Sequence, residues 1–249
     1  MYRILAIGNS FSEDATCFLH QIAEKSGVES EVDNLFIGGC SLERHWRNIE
    51  EDRCEYQLQL NGIKTERYVS VQEMLEEKKF DVIVTQQASG DSGWENTYEP
   101  FLGLMINYLR QQTPDTKLFL HQTWAYEAGS KHEHFMRYNR NQQEMLTRLR
   151  NAYSAAASRY NIPLIRTGEL IQRLRETSCF DDGKHCITRD GFHLDFLYGR
   201  YAAALMWAKE LMHIDVKENA FVPSTESIPL ENVDREILTV IKNCVEGMK

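Results

Sequence analysis

The chain has 249 residues, enough to bury a substantial core in one domain spanning 1–249. Its hydrophobic share of 42% and charged share of 26% are those of an ordinary globular protein. A formal net charge of −9 opposes nonspecific attraction to nucleic acid or anionic membrane. With no run of about 18 apolar residues, integral membrane association is not expected either.

The start of the chain turns polar too quickly for a secretory signal and reads as a first buried strand over residues 4–7. A helix is predicted over residues 15–25, with Phe18, Leu19, Ile22 and Ala23 facing inward. Ser12 or Asp14 is placed to cap it, and Gly27 to end it. A second strand over residues 32–37 enters the turn Gly38-Gly39-Cys40-Ser41. Residues 56–60 and 63–68 flank Asn61-Gly62, a pair suited to the positive φ angles of a tight hairpin. A short helix follows over 71–78, then a third core strand over 82–84 that ends at Gln86-Gln87. A covering helix over 102–109 leads to a fourth strand over 117–120 and an aromatic-rich connection or lid over 121–138. A long helix over 141–159 precedes a short fifth strand over 162–165, where Pro163 favours an edge position. Helical patterns over 169–175, 196–211 and 233–244 complete the chain.

Short apolar runs alternating with amphipathic segments predict an α/β fold. The expected architecture is a three-layer α/β/α sandwich with a mainly parallel five-stranded central sheet and a small β-hairpin excursion. Six dispersed cysteines in a chain too large to need staples point to free thiols and a cytoplasmic location. A leader removed in maturation would instead place the protein in the periplasm or outside the cell. A Cys179–Cys186 bridge is sterically open, with little in the sequence to favour it.

Two distant segments carry the chemistry. Gly8-Asn9-Ser10-Phe11-Ser12 follows the first strand, and Asp190-Gly191-Phe192-His193 precedes a helical pattern. Together they offer a hydroxyl, an imidazole and a carboxylate where an α/β fold gathers its loops. A serine hydroxyl becomes a nucleophile when an adjacent imidazole takes its proton, and a carboxylate can orient that imidazole. Ser10, His193 and Asp190 are the candidates for these roles. Ser12 is a rival hydroxyl better suited to capping, and Asp195 is a second acid better suited to starting the next helix.

These two blocks, with the later Gly-Gly-Cys-Ser and Gln-Gln-Ala-Ser-Gly, resemble the SGNH or GDSL-like hydrolases. The likeness extends over almost the whole chain and is nearest to a bacterial branch with a Gly-Asn-Ser-Phe-Ser nucleophile block. It implies an SGNH/flavodoxin-like sheet and acyl-ester hydrolysis through Ser10. It also implies an oxyanion hole using the backbone N–H groups of Ser10 and Gly39. Two departures stand out: Asn9 replaces the usual acidic residue, and residues 85–90 contain no Gly-x-Asn-Asp. A glutamine amide is therefore expected to complete the hole, with Gln87 favoured and Gln86 the alternative. The strand register alone leaves the choice open.

Trp46, Trp94, Trp124 and Tyr126 all follow proposed strands and are expected to wall a sugar-sized pocket at the carboxyl edge. Sugar deacetylation is one reaction the resemblance brings, beside those of lipases and thioesterases. His132-Glu133-His134 and the His185/Cys186/His193 neighbourhood lack metal-site spacing, so neither metal nor cofactor is expected. The expected activity is a metal-independent serine esterase acting on a small-molecule acyl ester, possible targets including acetylated sugars. The alternatives are a thioesterase, or a catalytically inactive carbohydrate-binding protein on the same fold. Self-association to a homo-oligomer is left open.

Overall fold

A computed structural model describes residues 1–181 and 185–248. Its strands are β1 (Tyr2–Gly8), β2 (Ser30–Phe36), β3 (Tyr56–Leu60), β4 (Ile63–Val69), β5 (Val82–Thr85), β6 (Lys117–His121) and β7 (Leu164–Ile165). They join one sheet in the order β4-β3-β2-β1-β5-β6-β7. The five expected core strands, β2, β1, β5, β6 and β7, pair in parallel. The hairpin is more than an excursion: β3 pairs antiparallel with β2 and β4 with β3, so the sheet has seven strands among the described residues. Asn61 and Gly62 take φ of 52° and 83°, the conformation an Asn-Gly hairpin turn requires. The Asn61 side chain also accepts the Val32 N–H at 2.9 Å, fastening the turn to β2.

The helices are α1 (Ser10–Thr16), α2 (Leu19–Lys25), α3 (Leu42–Glu50), α4 (Val71–Glu77), α5 (Phe101–Gln112), α6 (Gln142–Tyr160), α7 (Thr167–Arg175), α8 (Tyr198–Met212) and α9 (Arg235–Glu246). Helices α1, α2, α7 and α9 pack on α8, while α3 packs on α4 and α5. Ile4, Leu5, Ala6 and Ile7 are wholly buried in succession, which an alternating strand allows only when both sheet faces are covered. Every helix of the described residues is too short or too polar to cross a membrane. All six cysteines are unpaired.

Two helical expectations are corrected. The helix predicted over 15–25 is two helices that meet at Cys17 and Phe18, and the first begins at Ser10. The Thr16 hydroxyl donates to the Ser12 carbonyl at 2.9 Å, a back-bond that competes with the helical ladder and favours a bend. Helix α3 lies where no helix is predicted. Ser41 caps it, but its buried face mixes Leu42 and Ile49 with His45 and Asn48, which hides the apolar period.

The chain passes from β1 to β2 on one side and returns to β5 on the other. This reversal opens a crevice beyond the carboxyl ends of β1, β2 and β5, where open α/β sheets hold ligands. Ser10, Gly39 and the segment after β5 all emerge there.

Candidate active site

Ser10 is the first residue of α1, directly after the β1 exit. Asn9 caps the helix by accepting the Phe11 N–H at 3.0 Å. His193 Nε2 lies 2.8 Å from Ser10 Oγ, and His193 Nδ1 lies 2.6 Å from Asp190 Oδ2. With Nδ1–H donating to the carboxylate, Nε2 is left as the acceptor for the serine hydroxyl. The folded chain therefore joins the three predicted catalytic residues in one hydrogen-bonded row.

The turn carrying Asp190 and His193 is held from several directions. Asp190 Oδ1 accepts the N–H groups of Phe192 and His193 at 3.1 and 2.8 Å. Gly191 sits at φ +89°, a conformation that side-chain-bearing residues rarely adopt. Burial pushes the Asp190 carboxyl up, but the hydrogen bonds from His193 and Phe192 outweigh it and hold the group below its ordinary range. Trp124 donates its indole N–H to the Phe192 carbonyl at 2.6 Å and stacks on Phe11 at 4.2 Å. Asp14, fully buried, accepts from Arg189 at 3.0 Å, from Arg200 at 2.8 Å and from the Leu194 N–H at 2.9 Å. Burial raises the Asp14 pKa, and Arg200 and Arg189 pull against that rise. This ion cluster ties α1, α8 and the histidine turn together, and the sequence reading assigns Asp14 no more than a capping role.

Ser12 is engaged elsewhere, its single hydroxyl proton shared between the Asn9 carbonyl and the Asn34 side-chain oxygen, each 2.8 Å away. Asp195 accepts the N–H groups of Leu197 and Tyr198 at 2.9 Å and caps the start of α8. Asn9 does what an acidic residue could not. Its amide donates to the Cys40 carbonyl at 3.0 Å while its oxygen accepts from Gln86 at 2.7 Å. Gln86 in turn accepts from His121 Nδ1 at 2.6 Å. One buried chain thereby links the exits of β1, β2, β5 and β6.

A cavity of about 440 Å³ opens over Ser10 and His193, within the usual range for small-molecule sites. Phe11, Phe36 and Phe192 supply apolar wall, and Glu13, Ser89, His132, His134 and Arg189 supply polar wall. Gly39 lies on the wall at φ +64°.

Neither predicted glutamine lines this cavity. Gln87 is 1% exposed; its amide donates to the Thr97 carbonyl at 2.9 Å and its oxygen accepts the Leu42 N–H at 3.0 Å. Gln86 is equally buried and engaged with Asn9 and His121. The expectation that a glutamine amide completes the oxyanion hole is therefore corrected: both serve to fasten loops.

The predicted aromatic platform is corrected too, since none of Trp46, Trp94, Trp124 and Tyr126 is on the cavity wall. Trp46 is half-buried on α3. Trp94 is clasped between Arg137 and Arg148, 5.2 and 4.5 Å from its ring. Trp124 and Tyr126 are fully buried braces, and the Tyr126 hydroxyl is 2.8 Å from that of Ser89. The connection over 121–138 is thus core for much of its length, and it presents His132 and His134 to the cavity instead of indoles.

Known proteins share this fold. A solved structure of a DUF4886 family protein from Bacteroides uniformis is 37% identical, covers 98% of this chain and 93% of its own, and superposes with a TM-score of 0.89. A protein from Slackia heliotrinireducens designated an SGNH hydrolase is 23% identical over 84% of this chain and 97% of its own, with a TM-score of 0.59. The acetyl xylan esterase AlAXEase is 16% identical over 83% and 98%, with a TM-score of 0.57. The fold is that of the SGNH/GDSL hydrolases. No curated protein matches the sequence. The family profile described as domain of unknown function DUF4886 matches residues 3–238, and the chain belongs to that family.

Proposed function

We propose that the protein is a serine esterase that hydrolyses small acyl esters through an acyl-serine intermediate. The observation that carries this reading is the row from Ser10 Oγ through His193 to Asp190, with bonds of 2.8 and 2.6 Å, opening on a cavity. The Ser10 oxygen attacks the ester carbonyl as His193 Nε2 takes its proton. The resulting imidazolium, steadied by Asp190, then protonates the departing alcohol. Water repeats the sequence on the acyl-serine and releases the acid.

The negative oxygen of each tetrahedral intermediate needs donors in place before it forms. The Ser10 N–H is a first-turn helix donor with no carbonyl partner inside α1. The Gly39 N–H stands on the cavity wall in a turn anchored through Cys40 to Asn9. We assign the third donor to Ser89. Ser89 lines the cavity with its hydroxyl 2.8 Å from that of Tyr126; with Tyr126 donating across that contact, the Ser89 hydroxyl proton is left for the substrate. The fold likeness to an acetyl xylan esterase makes acetyl esters the first substrates to try.

Steady-state hydrolysis of short aryl and alkyl acetates tests the reading. Ser10→Ala and His193→Ala should each lower kcat by more than about 10³-fold, with the melting temperature close to wild type. Retention of wild-type kcat in Ser10→Ala would refute the assignment.

A further inference from the structure

His132 is among the polar side chains of the cavity that have no part in that mechanism. His132 sits at the start of a 3₁₀ turn, Glu133–Tyr138, where its Nδ1 accepts the N–H of His134 at 3.2 Å. Because a backbone N–H always donates, Nδ1 must be the bare nitrogen, and the ring proton resides on Nε2. The ring is wedged between Tyr126 and Phe192, with centroids 4.7 and 4.5 Å away, so it has little freedom to turn. Burial, reinforced by the nearby His134 and His193, holds the imidazole below its ordinary range. It is therefore neutral at pH 7, and the Nε2–H is a fixed donor on a ring that lines the substrate cavity.

Its position indicates which half of the substrate it meets. Phe192 meets His193 in a tilted contact at 3.9 Å and His132 edge-on at 4.5 Å, and all three rings line the cavity, so both imidazoles border it around one phenyl ring. His193 is the group that delivers a proton to the departing oxygen, so this rim faces the alcohol half of the ester. A neutral donor there suits an oxygen acceptor and leaves a purely hydrocarbon alcohol with nothing to bond.

We propose that His132 is a specificity-determining residue whose Nε2–H donates to an oxygen on the alcohol portion, so that the site selects esters of hydroxyl-bearing alcohols. The proposal rests on the esterase reading above and adds the substrate class to it.

Glycerol monoacetate and n-propyl acetate test it, because they share the acyl group and carbon count and differ in hydroxyls. His132→Ser keeps an oxygen able to accept the His134 N–H but cannot reach the Nε2 position. Its ratio of kcat/KM, glycerol ester over propyl ester, should fall about three- to tenfold, the usual consequence of losing one neutral hydrogen bond. The loss should appear in KM more than in kcat, since the contact is made before and during reaction. His132→Gln can carry an N–H to the same distance and should recover part of the ratio. An unchanged ratio in His132→Ser, or an equal loss on both esters, overturns the role of His132 and leaves the esterase reading intact. Wild-type protein that hydrolyses aryl acetates but neither of these esters overturns the role of His132 alone; wild-type protein that hydrolyses none of them overturns the esterase reading as well.

Discussion

Asp14 illustrates how a side chain remote from the chemistry can set it. Its carboxylate is the shared partner of Arg189 and Arg200, which arrive from the histidine turn and from α8. Asp14→Asn would leave two partly buried guanidiniums facing each other, and removing one partner of a buried ion pair costs about 3–5 kcal/mol. We expect urea unfolding to register a loss of about 3 kcal/mol. We also expect kcat to fall by about 10- to 100-fold as the imidazole drifts from Ser10. An unchanged kcat at the lower stability would show that the cluster holds the fold without aiming the histidine. The members of the Ser10–His193–Asp190 row are legible in the sequence because each sits in a short block whose chemistry is local. Asp14 and His132 are not, because their meaning lies in partners far along the chain. The role of Gln86 and Gln87 is hidden for a related reason: a polar strand exit looks the same whether its amides face a cavity or tie loops together.

The hairpin and the first two helices depend on each other. A Cβ at Gly62 would lie 2.3 Å from the Cys17 carbonyl oxygen, at the junction of α1 and α2, on a residue with φ +83°. Gly62→Ala should therefore cost at least about 2 kcal/mol, from left-handed strain and the backbone clash together. Gly27→Ala is the control: φ is similar at +72°, but nothing lies within 4 Å. It should cost about 1 kcal/mol. Equal urea midpoints for the two variants would contradict the dependence of the helix junction on the turn. At this scale the strands are legible in the sequence, since wholly buried apolar runs and an Asn-Gly pair are strong local signals. Helix α3 escaped because two of its four buried residues, His45 and Asn48, are polar. The α1–α2 break escaped because neither glycine nor proline marks it.

Across the whole molecule, two buried histidines carry a cost that pH can reveal. His45 and His121 are fully buried, and burial lowers each to about 3. Unfolded histidine titrates near about 6.5, so between about 6.5 and 3 the unfolded chain binds more protons than the folded one. Stability is complete above that upper value and declines as pH falls through the window, by up to about 1.4 kcal/mol per pH unit for each histidine. Urea unfolding should show a loss of about 3 kcal/mol between pH 7.5 and 5.5; equal stability at both would contradict the burial of neutral imidazoles. Asp190 acts in a separate range: its lowered carboxyl contributes fully above the ordinary aspartate value of about 3.9, and the contribution fades as pH falls from there through the group's own lower value. The convergence of residue 10 with residues 190 and 193 is what makes this fold a candidate enzyme. Mass mapping after treatment with a small fluorophosphonate tests it most directly. A single adduct on Ser10 in wild type, absent in Ser10→Ala and much reduced in His193→Ala, is the predicted result. An adduct confined to another serine, such as Ser12 or Ser89, or none on Ser10, would contradict it.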